Sequence, residues 1–197
     1  MKTAKITVYK FEELSEEAQK IAIENQIRIN LDSYFDFSWL EWQFEDEAKE
    51  KGFENTKFQY SLSYSQGDGL SFSFDYFNSE KLAEIIKQLT GKNSNWFIDT
   101  IQNSIYNLYG TGNIGRYCYA MGEQVKLKHN LFSNYSNIQR ILEQVLEEIE
   151  LDYLELCNKF EKMAYEAYEY ELSEEKARFD LIEFDEDFLE NGKKFYI

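Results

Sequence analysis

The sequence predicts an α+β domain in which an antiparallel sheet packs against long antiparallel helices, and three observations carry that expectation. Apolar residues recur at every second position over 56–77 and at every third or fourth over 137–170. Neither an internal repeat nor a Pro- or Ser-rich linker interrupts the 197 residues, so 1–197 reads as a single domain with enough length for a real core.

The elements follow in chain order. Residues 3–9 are β-rich and place Ile6 and Val8 on one face with Thr7 and Tyr9 on the other, which reads as a first strand. Ser15 has the chemistry of an N-cap, with Glu16 and Glu17 in the first turn where the helix dipole favours carboxylates, and Ala18, Ile21, Ala22 and Gln26 at helical spacing. A helix is expected over about 15–50, broken near Tyr34-Phe35-Asp36-Phe37 and stopped at Gly52. Phe58, Tyr60, Leu62 and Tyr64 then share one face, and Leu70, Phe72, Phe74 and Tyr76 share another. Between them Gln66, Gly67, Asp68 and Gly69 supply turn residues suited to positive φ, so 56–77 reads as a hairpin. Asn78-Ser79 caps a short helix on Leu82, Ile85, Ile86 and Leu89, which Gly91 ends.

Residues 94–130 are less regular, and 116–119 and 124–128 read as two strands around Gly122. The most periodic segment starts at Ser136 or Asn137 and reaches Tyr170, through Ile138, Leu142, Val145, Ile149, Tyr153, Leu156, Phe160 and Ala164. A helix that long either breaks or needs a long partner, and the helix from Ser15 is the candidate. Ser173 with Glu174 and Glu175 caps a final helix, and 194–197 reads as an edge strand.

Thirty-seven acidic residues against 21 Lys and Arg give a formal charge of −16, which disfavours general binding to a nucleic-acid backbone and favours a basic protein partner. Two windows concentrate it. Residues 143–158 hold Glu143, Glu147, Glu148, Glu150, Asp152 and Glu155 with no base, and 171–190 hold nine acids against Lys176 and Arg178. Either these are solvated helix faces, or they form a carboxylate surface that mimics a nucleic acid and occupies a basic channel in a partner. On the second reading the partner-binding residues are Glu143, Glu147, Glu150, Glu183, Phe184, Asp185, Glu186, Asp187 and Phe188, with the two phenylalanines as aromatic anchors. The opposite pole, 100–142, carries Arg116, Lys126, Lys128 and Arg140 against Glu123. There Tyr109, Tyr117 and Tyr119 could stack bases beside cations in a local RNA contact, or serve the core.

Catalytic signatures are missing from the sequence. Gly110-Thr111-Gly112 continues into neither a dinucleotide-binding nor a phosphate-loop spacing. The lone His129 has no nucleophile motif beside it, and Cys118 and Cys157 lack metal or redox spacing. Neither a catalytic residue, a metal ligand nor a cofactor is expected. No apolar run approaches the roughly 20 residues of a membrane span, and the N-terminus does not read as a secretory leader, so a cytoplasmic protein is expected.

The opening Val8-Tyr9-Lys10-Phe11-Glu12-Glu13-Leu14-Ser15-Glu16-Glu17-Ala18, the hairpin Tyr64-Ser65-Gln66-Gly67-Asp68-Gly69-Leu70-Ser71-Phe72, the later Gly115-Arg116-Tyr117-Cys118-Tyr119, and the tail from Phe160-Glu161-Lys162 to Phe184 are distinctive together. In that order they resemble a family of small phage and prophage proteins, often labelled antitoxins of toxin–antitoxin stability systems. The Ser-Gln-Gly-Asp-Gly-x-Ser-Phe block is the most specific part of the resemblance. In the family a His commonly follows the second Tyr region; here Cys118 stands near that place, so no role of that His carries over. The resemblance implies a mobile-element accessory protein acting inside a bacterial host. By analogy of class it implies a non-enzymatic, anti-CRISPR-like inhibitor that binds a CRISPR effector nuclease or another host ribonucleoprotein. The alternative it implies is an antitoxin that neutralises a cognate toxin.

Overall fold

The computed structural model describes residues 5–32, 37–62, 69–91, 98–100, 102, 106–109, 128–130 and 136–196, with backbone alone at 106–109, 128–130 and 136. The fold is α+β, and it comprises two compact units, Met1–Asp36 with Tyr165–Ile197 and Phe37–Ala164.

In the first unit a 3₁₀ turn, Phe11–Glu13, leads into helix α1, Glu16–Asp32. Ser15 caps α1 as its chemistry predicts, its Oγ accepting the Ala18 N–H at 3.3 Å. Ala18, Ala22, Ile23 and Gln26 form the buried stripe, while Ile21 lies outside it. Helix α5, Glu174–Glu183, is capped by Ser173, whose Oγ accepts from the Lys176 N–H at 3.1 Å. Ala177 and Leu181 of α5 meet Ala18, Ala22 and Ile23 in a core closed by Phe11, Leu14 and Phe188. Of the strand expected at 3–9, residues 5–9 are described and hold one bridge: Tyr9 exchanges two 2.9 Å backbone bonds with Phe188, and 5–8 are in no strand among the described residues. Of the strand expected at 194–197, residues 194–196 are described and likewise hold a single bridge, Lys194 to Phe188.

A buried polar chain runs through this unit. Gln26 donates to Asn30 at 2.8 Å, Asn30 donates to Asp180 at 3.3 Å and to the Glu171 carbonyl at 3.0 Å, and Lys176 holds the other Asp180 oxygen at 2.5 Å. Gln26, Asn30 and Asp180 are all buried, and each has a partner, which is the condition for tolerating polar groups there.

In the second unit helix α2, Ser38–Glu50, follows the non-helical Phe37, so the long helix expected over 15–50 is described as two helices, α1 to Asp32 and α2 from Ser38. Tyr34, Phe35 and Asp36 of the aromatic stretch lie outside the described residues. Strands β1 (Phe53–Glu54), β2 (Lys57–Ser61), β3 (Gly69–Ser73) and β4 (Tyr76–Phe77) pair as β1 with β4 and β2 with β3, both antiparallel. The registers Phe53↔Phe77 and Ser61↔Gly69 share one constant offset, so the four strands are a single hairpin interrupted midway. The interruption is Asn55, whose φ of 55° turns the chain and whose Nδ2 donates to Asp75 across the hairpin at 3.2 Å. It also shifts the phase. Leu70, Phe72 and Phe74 face the core as their alternation predicts, but beyond Asp75 it is Phe77 that is buried and Tyr76 that is exposed.

Helix α3, Ser79–Thr90, has the predicted caps. The Asn78 side chain accepts from the N–H groups of Glu80 and Lys81 at 2.9 and 3.2 Å, and Gly91 closes the helix at φ 63°. Strands β5 (Tyr106–Tyr109) and β6 (Lys128–Asn130) pair with Tyr109 opposite Lys128. The strands expected at 116–119 and 124–128 lie outside the described residues, apart from Lys128.

Helix α4, Ser136–Glu171, is continuous for 36 residues, a rise of about 54 Å. Its residues to Ala164 belong to the second unit and the remainder to the first. Leu142, Val145, Ile149, Tyr153, Leu156, Phe160 and Ala164 are buried, the stripe its periodicity predicts. Around them sits an aromatic cluster in which the Phe44 ring lies 4.7 Å from Phe58, 4.9 Å from Phe72 and 5.1 Å from Phe160. Among the described residues the sheets are two-stranded, and no third strand pairs with the hairpin. Side chains of α4 occupy the outer edge of β3 instead.

Candidate functional site

At the C-terminus, the segment expected to carry an acidic surface divides into three kinds of residue. Phe188 is fully buried: its ring packs edge-on to Phe11 at 6.4 Å, and its backbone pairs with Tyr9. The expectation that it anchors a partner is corrected, because the Tyr9 bridge draws it into the core. Three of the four carboxylates are committed within the chain. Lys10 Nζ lies 3.1 Å from Asp185 Oδ1 and 2.9 Å from Asp187 Oδ1, and Lys194 Nζ lies 2.5 Å from Glu186 Oε2, an ion-pair contact rather than an aligned hydrogen bond. Hydrogen bonds to Asp187 and Asp185 raise the Lys10 pKa above the ordinary lysine value. Only Glu183 of the four has no partner among the described residues.

The third kind is exposed and apolar. Ala177, Asp180 and Leu181 form the inward stripe of α5, whereas Phe179 and Ile182 project from its other side and Phe184 follows at its C-terminal end. Phe179 is 54% exposed, Ile182 51% and Phe184 62%, beside Glu175, Glu183 and Asp185. Phe184 therefore stands where the sequence reading puts it, while Phe179 and Ile182 were missed. Their i, i+3 spacing opposite the Ala177–Leu181 stripe was the available signal.

On α4, Glu143, Glu147 and Glu150 are exposed as expected. Glu143 accepts from Gln139 at 3.1 Å, and Glu147 and Glu150 have no partner among the described residues. Farther along, Lys51 takes both Asp152 and Glu155 at 2.6 Å, and its hydrogen bond holds the Glu155 carboxyl below the usual carboxylate range. Lys159 pairs with Glu47.

Of the residues considered for nucleic-acid contact, Tyr109 and Lys128 are opposite one another in the β5–β6 ladder. Arg116, Tyr117, Tyr119 and Lys126 lie outside the described residues. So do Gln66, Gly67 and Asp68 of the turn, whereas Gly69 opens β3 at φ 142°.

Sequence reasoning placed Tyr153 in the buried stripe of α4 but missed what it does with Cys157 and Glu161, one and two turns farther along. The Tyr153 hydroxyl donates to the Phe72 carbonyl at 2.6 Å and accepts its N–H at 3.0 Å, while the ring stacks on Phe72 at 4.0 Å. Glu161 accepts the backbone N–H of Leu70, two residues along the same strand edge. In an antiparallel ladder the N–H and C=O of one residue point to the same side, so these bonds use the edge of β3 that faces away from β2. Burial pushes the Cys157 thiol up to about 12 and the Tyr153 phenol upward as well. A neutral buried thiol is not a nucleophile, and the stripe reads as the sealing of a strand edge rather than as a reactive centre.

Burial also raises the Glu161 pKa, the Leu70 bond opposing it, and Glu161 Oε2 is buried without a hydrogen-bond partner. A carboxyl raised in the folded state favours folding when protonated, and that contribution is lost as pH rises through the folded value. Glu161→Gln keeps an acceptor for Leu70 and removes the charge. Thermal melting should therefore show the variant more stable than the parent at pH 7, with the difference vanishing below the ordinary carboxylate range, near about pH 4. A variant less stable at pH 7 contradicts this.

An open cleft of about 530 Å³ is lined, among the described residues, by Thr7, Tyr9, Leu189, Glu190 and Asn191, of which Glu190 alone is charged, so these residues supply no carboxylate pair. Among the described residues no group of three or more His, Cys, Asp or Glu is arranged to hold a metal ion, and no helix is long and apolar enough to cross a membrane. Comparison with protein-family models, curated proteins and solved structures finds no match for the chain.

Proposed function

We propose that the chain is a non-enzymatic inhibitor of phage type, which binds a basic, nucleic-acid-handling protein of the bacterial host and blocks its guide or target channel. A CRISPR effector nuclease is the target class to which the resemblance points. One observation carries the reading: exposed Phe179, Ile182 and Phe184 stand among Glu175, Glu183 and Asp185 in a chain of charge −16. Aromatic anchors within a carboxylate rim suit a basic protein groove, since the apolar groups supply affinity and the charges supply steering and discrimination. Glu147 and Glu150 on α4, exposed and without a partner among the described residues, add to the negative charge of the chain.

The test is phage challenge of bacteria with active CRISPR immunity, with and without the chain. Restored plaque formation, with the effector captured on the tagged chain, is expected. Undiminished immunity across effector types, with no nuclease captured, overturns the proposal. The antitoxin reading is favoured by the label borne by the resembling family, and it requires a toxin gene beside this one. A neighbouring reading frame that is toxic alone and harmless when the chain is co-expressed decides for it.

A further inference from the structure

Helix α2 is apolar on two opposite sides. Leu40, Phe44 and Ala48, spaced by four, are fully buried and form its core stripe. Trp39 and Trp42, one turn apart, project on the side opposite that stripe and are 49% and 67% exposed. Burial against the hairpin explains the first face, and the second packs against nothing that the described residues show. Indole is the side chain most enriched among residues that dominate binding energy, and two on one exposed turn form an aromatic platform.

The surroundings of the platform specify its occupant. Asp46 and Glu50 continue the stripe four and eight residues beyond Trp42, and Glu41 and Glu45 flank it. All four are exposed and have no partner among the described residues; Glu47, which does, is held by Lys159. Lys49 is the one base within 38–50, so the face is strongly negative. No cation among the described residues stands over either indole: the cation–π contacts there use Phe160 and Phe179. Indole faces beside free carboxylates match a guanidinium, which stacks on the ring and donates in a fork to the carboxylate. An ammonium is more strongly hydrated and matches that pair less well.

We propose that the outward face of α2, Trp39 and Trp42 with Asp46 and Glu50, is a binding site for an arginine-rich segment of a protein partner. The site goes beyond the C-terminal patch and needs neither that patch nor a CRISPR effector.

The experiment titrates the full chain with nona-arginine and nona-lysine peptides at moderate salt, read by calorimetry and tryptophan emission. Non-specific attraction to a chain this acidic contributes to both peptides, so the decisive quantity is the arginine preference. The parent should bind nona-arginine several-fold more tightly than nona-lysine. Trp39→Ala/Trp42→Ala should abolish the preference, as should Trp39→Leu/Trp42→Leu, which keeps an apolar side chain and removes the π-face. Asp46→Asn/Glu50→Gln should weaken both peptides. Equal affinity of the parent for the two peptides, or a preference that survives both tryptophan variants, overturns the proposal. So does a Trp-dependent emission shift on phosphatidylcholine vesicles in place of the peptides, which assigns the face to lipid. Trp-dependent self-association in sedimentation likewise overturns it and assigns the face to a second copy. Because the C-terminal patch is untouched in every variant, these outcomes are independent of the phage-challenge result.

Discussion

Tyr153→Phe should destabilise the protein by about 2–4 kcal/mol, although it removes a single oxygen atom. The ring stack on Phe72 survives the change, and so does the packing of a residue with no solvent exposure. What disappears is the partner of two backbone groups, the Phe72 N–H at 3.0 Å and its carbonyl at 2.6 Å. Both are then left buried and unpaired, at about 1–3 kcal/mol each, with relaxation recovering part of the loss. Urea denaturation measures it, with Tyr196→Phe as the control, since that ring is exposed and its hydroxyl has no described partner. The control should fall within about 0.5 kcal/mol of the parent. A Tyr153→Phe variant as stable as the control contradicts the account of the β3 edge.

Gly192→Ala should be comparably damaging in the other unit, at about 2–5 kcal/mol. Gly192 sits at φ 78° in the turn that returns the chain after Phe188, its N–H donating to the Leu189 carbonyl at 2.9 Å. A Cβ there would lie 2.1 Å from the Ala18 carbonyl oxygen, a rigid backbone atom within α1, so either the turn or the helix must shift. Gly91→Ala is the natural comparison. Its φ of 63° is also left-handed, but a Cβ at that position meets nothing within 4 Å, so only the conformational cost of about 1 kcal/mol applies. Denaturation of both variants separates strain from collision: equal losses mean that Gly192 is retained for its backbone angle alone.

These two positions show where the sequence was legible and where it was not. Local rules located Asn78, Gly91, Ser15 and Ser173 at their helix ends, because a cap is decided within four residues of chain. The stripe of α4 and the inward face of β3 were equally legible, since period alone defines them. The strand expected at 3–9 is, over the described residues 5–9, a single bridge, because β-propensity states only that a segment suits a sheet and the partner of Tyr9 is Phe188, at the other end of the chain. The outer edge of β3 was illegible in the same way, since Tyr153 and Glu161, which occupy it, lie more than 80 residues away along the chain. Tyr76 was assigned to the wrong side because a single residue with positive φ, Asn55 on the facing strand, accompanies the change of phase.

The candidate surface divides in the same way. Exposure of Glu143, Glu147, Glu150 and Phe184 follows from helix periodicity and composition. The burial of Phe188 and the capture of Asp185, Glu186 and Asp187 by Lys10 and Lys194 depend on contacts that no local pattern encodes. A charge-reversal of those three carboxylates thus tests the fold as well as binding, because it places lysine beside lysine. The apolar side chains of α5 are the cleaner probe.

The most direct measurement is therefore inhibition of target cleavage by purified CRISPR effectors, with the parent chain and Phe179→Ala/Ile182→Ala/Phe184→Ala compared over a range of concentrations. The three side chains are exposed, so the variant should melt with the parent while its inhibitory potency falls by about tenfold or more, the loss expected when aromatic anchors leave an interface. A folded variant that inhibits as well as the parent, or a parent that leaves every effector type uninhibited, contradicts the account.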